Sequence, residues 1–68
     1  MLILNGTSKK GKSRVKQFGK AWVIIGQHIT ADKWLIKSRD MDAQGTTDLR
    51  WILQKDDPDF FVEEHNID

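Results

Sequence analysis

The sequence predicts a small all-β barrel of five to six short antiparallel strands. Apolar and polar residues alternate with a period of two over several short stretches that are rich in β-branched and aromatic side chains. These stretches recur about every ten residues and are separated by Gly, Asn and Asp, which is typical of small β-barrels. The chain has 68 residues and can enclose one small core, so we expect a single domain.

Each predicted element follows from its local pattern. An apolar strand at 1–4 leads into a polar loop at 5–13, and a basic strand at 14–17 ends in a turn at Gly19, because glycine readily adopts positive φ. The segment 21–25 is apolar on both faces, which indicates a central strand. Further strands are predicted at residues 34–38, 48–53 and 60–63.

The segment before the last strand reads Asp56-Asp57-Pro58-Asp59. Proline presets φ for a tight turn and aspartate caps short helices, so we expect a one-turn 3₁₀ helix here. Residues 1–63 then form the barrel domain, and residues 64–68 form an acidic C-terminal tail.

Charge is distributed unevenly along the chain, although the formal net charge is only +1. Residues 1–34 contain seven basic residues and one acid, a balance of +6, whereas residues 35–68 contain four basic and nine acidic residues, a balance of −5. Such asymmetry is typical of a basic contact region with an acidic tail. Alternatively, the two regions face each other in the fold and neutralise one another.

The basic cluster predicts non-specific nucleic-acid binding, since several Lys and Arg side chains together neutralise backbone phosphates. Three tryptophans are too many for so small a core, and a half-exposed indole beside a cation could stack on a base. Trp22 lies close to Lys20 in sequence, and Trp51 adjoins Arg50. The predicted interface therefore comprises Lys9, Lys10, Lys12, Arg14, Lys16, Lys20, Trp22, Arg50 and Trp51.

Residues 6–13 match the phosphate-binding pattern G-x-x-x-x-G-K-[ST], in which backbone amides wrap phosphates and the lysine neutralises them. Val15, Phe18, Trp22 and Ile25 have the spacing of a helix that would follow such a loop. However, 68 residues cannot build the parallel sheet that this motif requires, and no apolar strand leads into a magnesium-binding acid. Nucleotide binding at Gly6–Ser13 is therefore a secondary alternative.

No other pattern predicts chemistry. Without cysteine there is no disulfide, zinc finger or thiol nucleophile, and His28 and His65 have no nucleophile at a readable spacing. Asp40-x-Asp42-x-Gln44-Gly45 partly resembles a calcium loop but lacks the closing glutamate, because Trp51 occupies that position. We expect no enzymatic activity, cofactor or metal, and no membrane association. The missing signal sequence and cysteines favour a cytoplasmic location.

The chain resembles SH3-like barrels over about residues 12–63. KOW-type barrels share its basic strand before a glycine turn, and type II dihydrofolate reductases look similar over Lys12–Ile24. The reductase's Val-Gln-Ile-Tyr stretch corresponds to Leu49-Arg50-Trp51-Ile52, so that activity does not transfer. The similar residues are Arg14-Val15-Lys16, Gly19, Ala21-Trp22-Val23-Ile24, Trp34-Leu35-Ile36 and Asp57-Pro58-Asp59-Phe60-Phe61-Val62.

A second hypothesis is a protein-interaction module, for example an adaptor or inhibitor of the kind found among small phage and mobile-element proteins. In that case the acidic segment 56–68 and an exposed apolar edge would contact a protein partner or mediate homo-oligomerisation.

Overall fold

A computed structural model describes residues 1–64 and shows, within that range, five strands and one helix. The strands are all antiparallel and form one curled half-barrel in the order β4-β3-β2-β1-β5. Within the same range no helix is long and apolar enough to cross a bilayer. The elements are β1 (Leu2–Gly6), α1 (Lys9–Phe18), β2 (Ala21–Gln27), β3 (Lys33–Ser38), β4 (Leu49–Leu53) and β5 (Phe60–Glu64).

Five of the six predicted strands are confirmed, each with ends within two residues of those expected. The alternation of apolar and polar residues identifies them because one face of the sheet is buried. The predicted tail at 64–68 begins with Glu64, which is the last residue of β5, and residues 65–68 lie outside the described part of the chain.

The strand predicted at 14–17 is wrong, because this segment is the second half of α1. Ser8 caps the helix at its N-terminus, and Gly19, with φ of 84°, ends it by donating its N–H to the Val15 carbonyl. Phe18 is buried and Val15 packs against the core from the same side of the helix. A helix is favoured over a strand here because it places both of these apolar residues against the core.

The predicted 3₁₀ helix before β5 is not present; the segment is an irregular turn organised by Asp57. The Asp57 carboxylate accepts hydrogen bonds from the backbone N–H groups of Leu53 and Asp59, both at 2.9 Å. Asp56 has a φ of 55°, outside the helical range. The side chain thus replaces the backbone hydrogen bonds that a helical turn would have made.

The core lies between the inner face of the half-barrel and α1. Trp22 is completely buried at its centre, makes an edge-to-face contact with Phe18, and donates its indole N–H to the Gly19 carbonyl at 3.0 Å. Burying a large apolar side chain of this kind contributes about 1.5–3 kcal/mol. The buried apolar residues are Leu2, Leu4, Phe18, Trp22, Ile36, Ile52 and Phe60.

Candidate functional site

Helix α1 brings five of the predicted cations together. At about 100° per residue, Lys9, Lys12 and Lys16 lie on one outward-facing stripe, which we call the lysine stripe. Lys10 and Arg14 are one turn apart on the flank of the same helix. All four lysines are exposed, and Arg14 is half-buried. The sixth cation of the cluster, Lys20, is exposed in the turn before β2.

The first turn of α1 is unusually positive. It contains Lys9, Lys10 and Lys12 and no acid, although the helix dipole already places partial positive charge at this end. Its own sequence supplies no neutralising carboxylate; instead Ser8 Oγ accepts from the Gly11 N–H at 3.0 Å and donates to Asp59 Oδ1 at 2.6 Å.

The segment with the phosphate-loop pattern is a tight strand-to-helix connection packed against the chain itself. Gly6 ends β1, and Gly11 lies inside α1. A Cβ atom on Gly11 would stand 1.8 Å from the Asp59 carbonyl oxygen, and one on Gly6 would stand 2.3 Å from the Lys12 nitrogen. Close packing thus accounts for both glycines, and the Gly11 amide is already bonded to Ser8.

A groove of about 390 Å³ separates α1 from β4, and we call it the α1–β4 groove. One of its walls is Arg50, whose guanidinium lies 5.3 Å from the centre of the Phe60 ring and whose Nε is 3.4 Å from Asp48 Oδ2. The groove is lined by Lys10, Ser13, Arg14, Gln17, Arg50 and Asp59.

Three of the groove residues, Lys10, Arg14 and Arg50, belong to the interface predicted from the sequence, whereas Ser13, Gln17 and Asp59 do not. The sequence does contain a pattern that indicates Ser13 and Gln17. Together with Lys10 and Arg14 they have the 3-1-3 spacing of residues on a single helical face. Once the helix is recognised, this spacing places their side chains together. Asp59 could not be placed, because its position depends on how β5 crosses to β1.

None of the cations of α1 forms an ion pair closer than 4.0 Å with an acidic residue in the part of the chain that the structure describes. Within residues 1–64 the one ion pair closer than 4.0 Å joins Arg50 to Asp48. The first acid in the chain is Asp32, so no acid precedes or lies within the cluster. In the acidic segment, Asp57 is engaged by backbone N–H groups, and Asp59 lines the α1–β4 groove.

The structure does not bring the predicted tryptophans to the cations. Trp22 is 0% exposed, so its ring has no free face on which a base could stack. Trp51 is 49% exposed and contacts the His28 ring edge-to-face at 5.7 Å. Trp51 nevertheless points away from α1, because neighbouring residues in a strand face opposite sides of the sheet and Arg50 faces inward onto Phe60.

Trp51 instead belongs to an apolar area on the outer face of the sheet. It is paired across the strands with half-buried Leu35, and Leu49, two residues before it, is 56% exposed. We call Leu35, Leu49 and Trp51 the outer β4 patch. Strand β4 is also an edge of the sheet, which is where strands commonly pair with other chains.

The calcium-like segment is a polar turn closed by Asp42. Asp42 Oδ1 accepts the backbone N–H groups of Gln44 at 3.0 Å and Thr46 at 2.9 Å, and Oδ2 accepts from Gln17 at 3.4 Å. These bonds, led by the one from Thr46, hold the pKa of Asp42 below its ordinary value of 3.8. Within residues 1–64 no group of three or more His, Asp or Glu side chains is placed to hold a metal ion.

The chain was also compared with known proteins. No protein-family model, curated protein or solved structure matches it. What the chain can bind is therefore inferred from the charge and geometry of its own residues.

Proposed function

We propose that the protein binds nucleic acid without sequence preference through the lysine stripe and the neighbouring α1–β4 groove. One observation supports this proposal above all: five cations on one helix carry no ion pair to any acid within residues 1–64. Lys9 to Lys16 spans about 10 Å along the helix at a rise of 1.5 Å per residue. That distance covers about three phosphates of one strand, which are spaced roughly 3.4 Å apart along a duplex.

The kinds of side chain favour non-specific binding. Lysine ammonium groups act as point charges toward phosphate and read no base edge. The two tryptophans that could have added stacking are placed elsewhere, Trp22 in the core and Trp51 on the outer face. Binding through charge alone is expected to depend steeply on salt.

This proposal differs from what the SH3-like resemblance implies. In that resemblance a basic Arg-Val-Lys strand precedes the glycine turn, but here those three residues lie in α1. Strands β2, β3 and β5 remain compatible with a barrel of this type. A relationship to SH3-like or KOW-like barrels is thus a hypothesis about the sheet, and the proposed contact is made by a helix.

Neutralising the lysine stripe should flatten the salt dependence of binding. For Lys9→Gln, Lys12→Gln and Lys16→Gln combined, we expect the slope of log K against log salt to fall by about 2.7, since each phosphate contact on duplex DNA contributes about 0.9. Fluorescence anisotropy with a labelled duplex between about 50 and 200 mM salt measures this slope.

The matched control is the triple variant Lys33→Gln, Lys37→Gln and Lys55→Gln. It removes the same charge from exposed positions outside the cluster and should change the slope by less than about 1 unit. Equal losses in both triple variants would show that total charge, rather than α1, determines binding. Absence of binding by the wild-type protein at the lowest salt would refute the proposal.

The outer β4 patch favours a second candidate function, association with a protein partner or a second copy of the chain. Exposed Leu49 and Trp51 on an edge strand supply both apolar area and unpaired backbone groups. If the patch is used in self-association, light scattering at high concentration will give a mass above 7.9 kDa. Leu49→Lys should return that mass to the monomer value. A monomer at every concentration would exclude self-association.

A further inference from the structure

We propose that the α1–β4 groove is a built binding site for one phosphate group, distinct from the lysine stripe beside it. This inference rests on the proposed function and deepens it, because it locates where one phosphate of a bound nucleic acid is held by hydrogen bonds. The stripe would attract the backbone through charge, whereas the groove would fix its position.

Arg50 is held in place before any ligand arrives. Its guanidinium lies over the Phe60 ring at 5.3 Å, and Asp48 lies 3.4 Å from its Nε. Its side chain is only 27% exposed, so it is confined to the groove wall. A guanidinium that is already oriented loses little conformational entropy on binding, and its planar fork matches two phosphate oxygens.

Helix α1 supplies the opposite wall with donors from a single face. Lys10 and Arg14 bring two further positive charges, and Ser13 adds a hydroxyl. Gln17 adds an amide group that already donates one hydrogen bond to Asp42 Oδ2 at 3.4 Å. Arg14 is half-buried, which indicates that its side chain lies along the protein surface rather than extending into solvent. Two elements distant in sequence therefore direct their donors into one space.

The charge balance of the groove favours an anion with several oxygens. Three cations line it against one carboxylate, Asp59, whose Oδ1 already accepts from Ser8. Asp48, 3.4 Å from Arg50 Nε, offsets a second of these charges, so three cations against two carboxylates leave a net charge of +1. The volume of about 390 Å³ is at the small end of ligand pockets, which run from about 300 to 1,000 Å³. It accommodates a phosphate group with part of the attached sugar. Such a phosphate could come from a nucleic-acid backbone or from a free phosphate compound.

Titrations followed by ¹H–¹⁵N NMR test the site and distinguish these sources. One arm uses inorganic phosphate, and the other a short single-stranded DNA without terminal phosphates. In both we expect saturable shifts at the Ser13 and Gln17 amides and at Arg50 Nε. Arg14→Gln should weaken binding about tenfold or more, the value of a charge-assisted hydrogen bond.

The matched control is Lys37→Gln, which removes the same charge from an exposed position on β3 that belongs neither to the groove nor to the lysine stripe. It should change phosphate affinity less than twofold. Lys10→Gln provides a second groove variant at an exposed position, in case Arg14→Gln lowers stability as judged by its melting temperature.

The outcomes separate the site from the proposed function. Saturable phosphate binding without DNA binding would support the groove, identify a free phosphate compound as its ligand, and refute nucleic-acid binding. Salt-dependent DNA binding with no saturable shift at the groove would overturn the groove and leave the stripe as the interface. Equal effects of Arg14→Gln and Lys37→Gln on phosphate affinity would overturn it as well.

Discussion

Replacing Gly11 with alanine should lower the free energy of unfolding by about 2–4 kcal/mol, despite the higher helix propensity of alanine. The added methyl group would stand 1.8 Å from the Asp59 carbonyl oxygen, so the backbone must move. That carbonyl accepts the Thr7 N–H at 2.9 Å, and the Asp59 side chain accepts from Ser8. Moving Asp59 therefore strains two further hydrogen bonds. The higher helix propensity of alanine offsets only about 1 kcal/mol of this destabilisation.

Urea denaturation followed by circular dichroism measures the effect of Gly11→Ala. The control is Ser13→Ala, an exposed position in the same helix, which should change stability by less than about 0.5 kcal/mol. Equal stability of the two variants would mean that Gly11 does not pack against Asp59 as described. A phosphate-loop glycine, in contrast, would affect nucleotide binding and leave the stability of the unliganded protein unchanged.

Replacing Trp22 with alanine should lower the free energy of unfolding by about 3–5 kcal/mol, the usual range for truncating a buried aromatic side chain to alanine. The indole is completely buried, and its loss also removes the edge-to-face contact with Phe18 and leaves the Gly19 carbonyl without its donor. A core in a chain of this size supplies only about 3–5 kcal/mol, so a loss of the same size should leave half or more of this variant unfolded.

The matched substitution is Trp51→Ala, where the ring is 49% exposed. We expect the free energy of unfolding of Trp51→Ala to fall by about 1 kcal/mol or less. The ring lies outside the buried core, and the contact that is lost is the one with His28. Thermal unfolding followed by circular dichroism compares the two. If Trp22→Ala stays folded but binds DNA more weakly, Trp22 contacts the nucleic acid, as the sequence predicts, and is not a core residue.

Helix α1 contains several residues that destabilise it as an isolated helix. Three lysines at a helix N-terminus and a glycine inside the helix all weaken α1 in isolation. The helix forms because Ser8, whose hydroxyl donates to Asp59, caps its N-terminus and because Phe18 and Val15 pack against the core. This charge arrangement lowers the stability of the helix, and no ion pair within residues 1–64 compensates for it.

The strands and the charge asymmetry could be predicted from the sequence alone, because each is a local property. Apolar runs mark β1 and β2, and short stretches of apolar, β-branched and aromatic residues mark β3, β4 and β5. The concentration of Lys and Arg between residues 9 and 20 is equally visible in the sequence. The end of the helix at Gly19 was also predicted as a turn.

Only the tertiary structure decided that residues 9–18 form a helix and what that helix exposes. The sequence predicts a loop over residues 5–13 and a strand over residues 14–17. A helix forms instead because Gly11 fits closely against Asp59 while Phe18 joins the core. Both contacts join residues distant in sequence, so no local pattern contains them. The same packing places Arg50 opposite Arg14 and separates Trp51 from the cations; this arrangement depends on how β4 and β5 fold around α1.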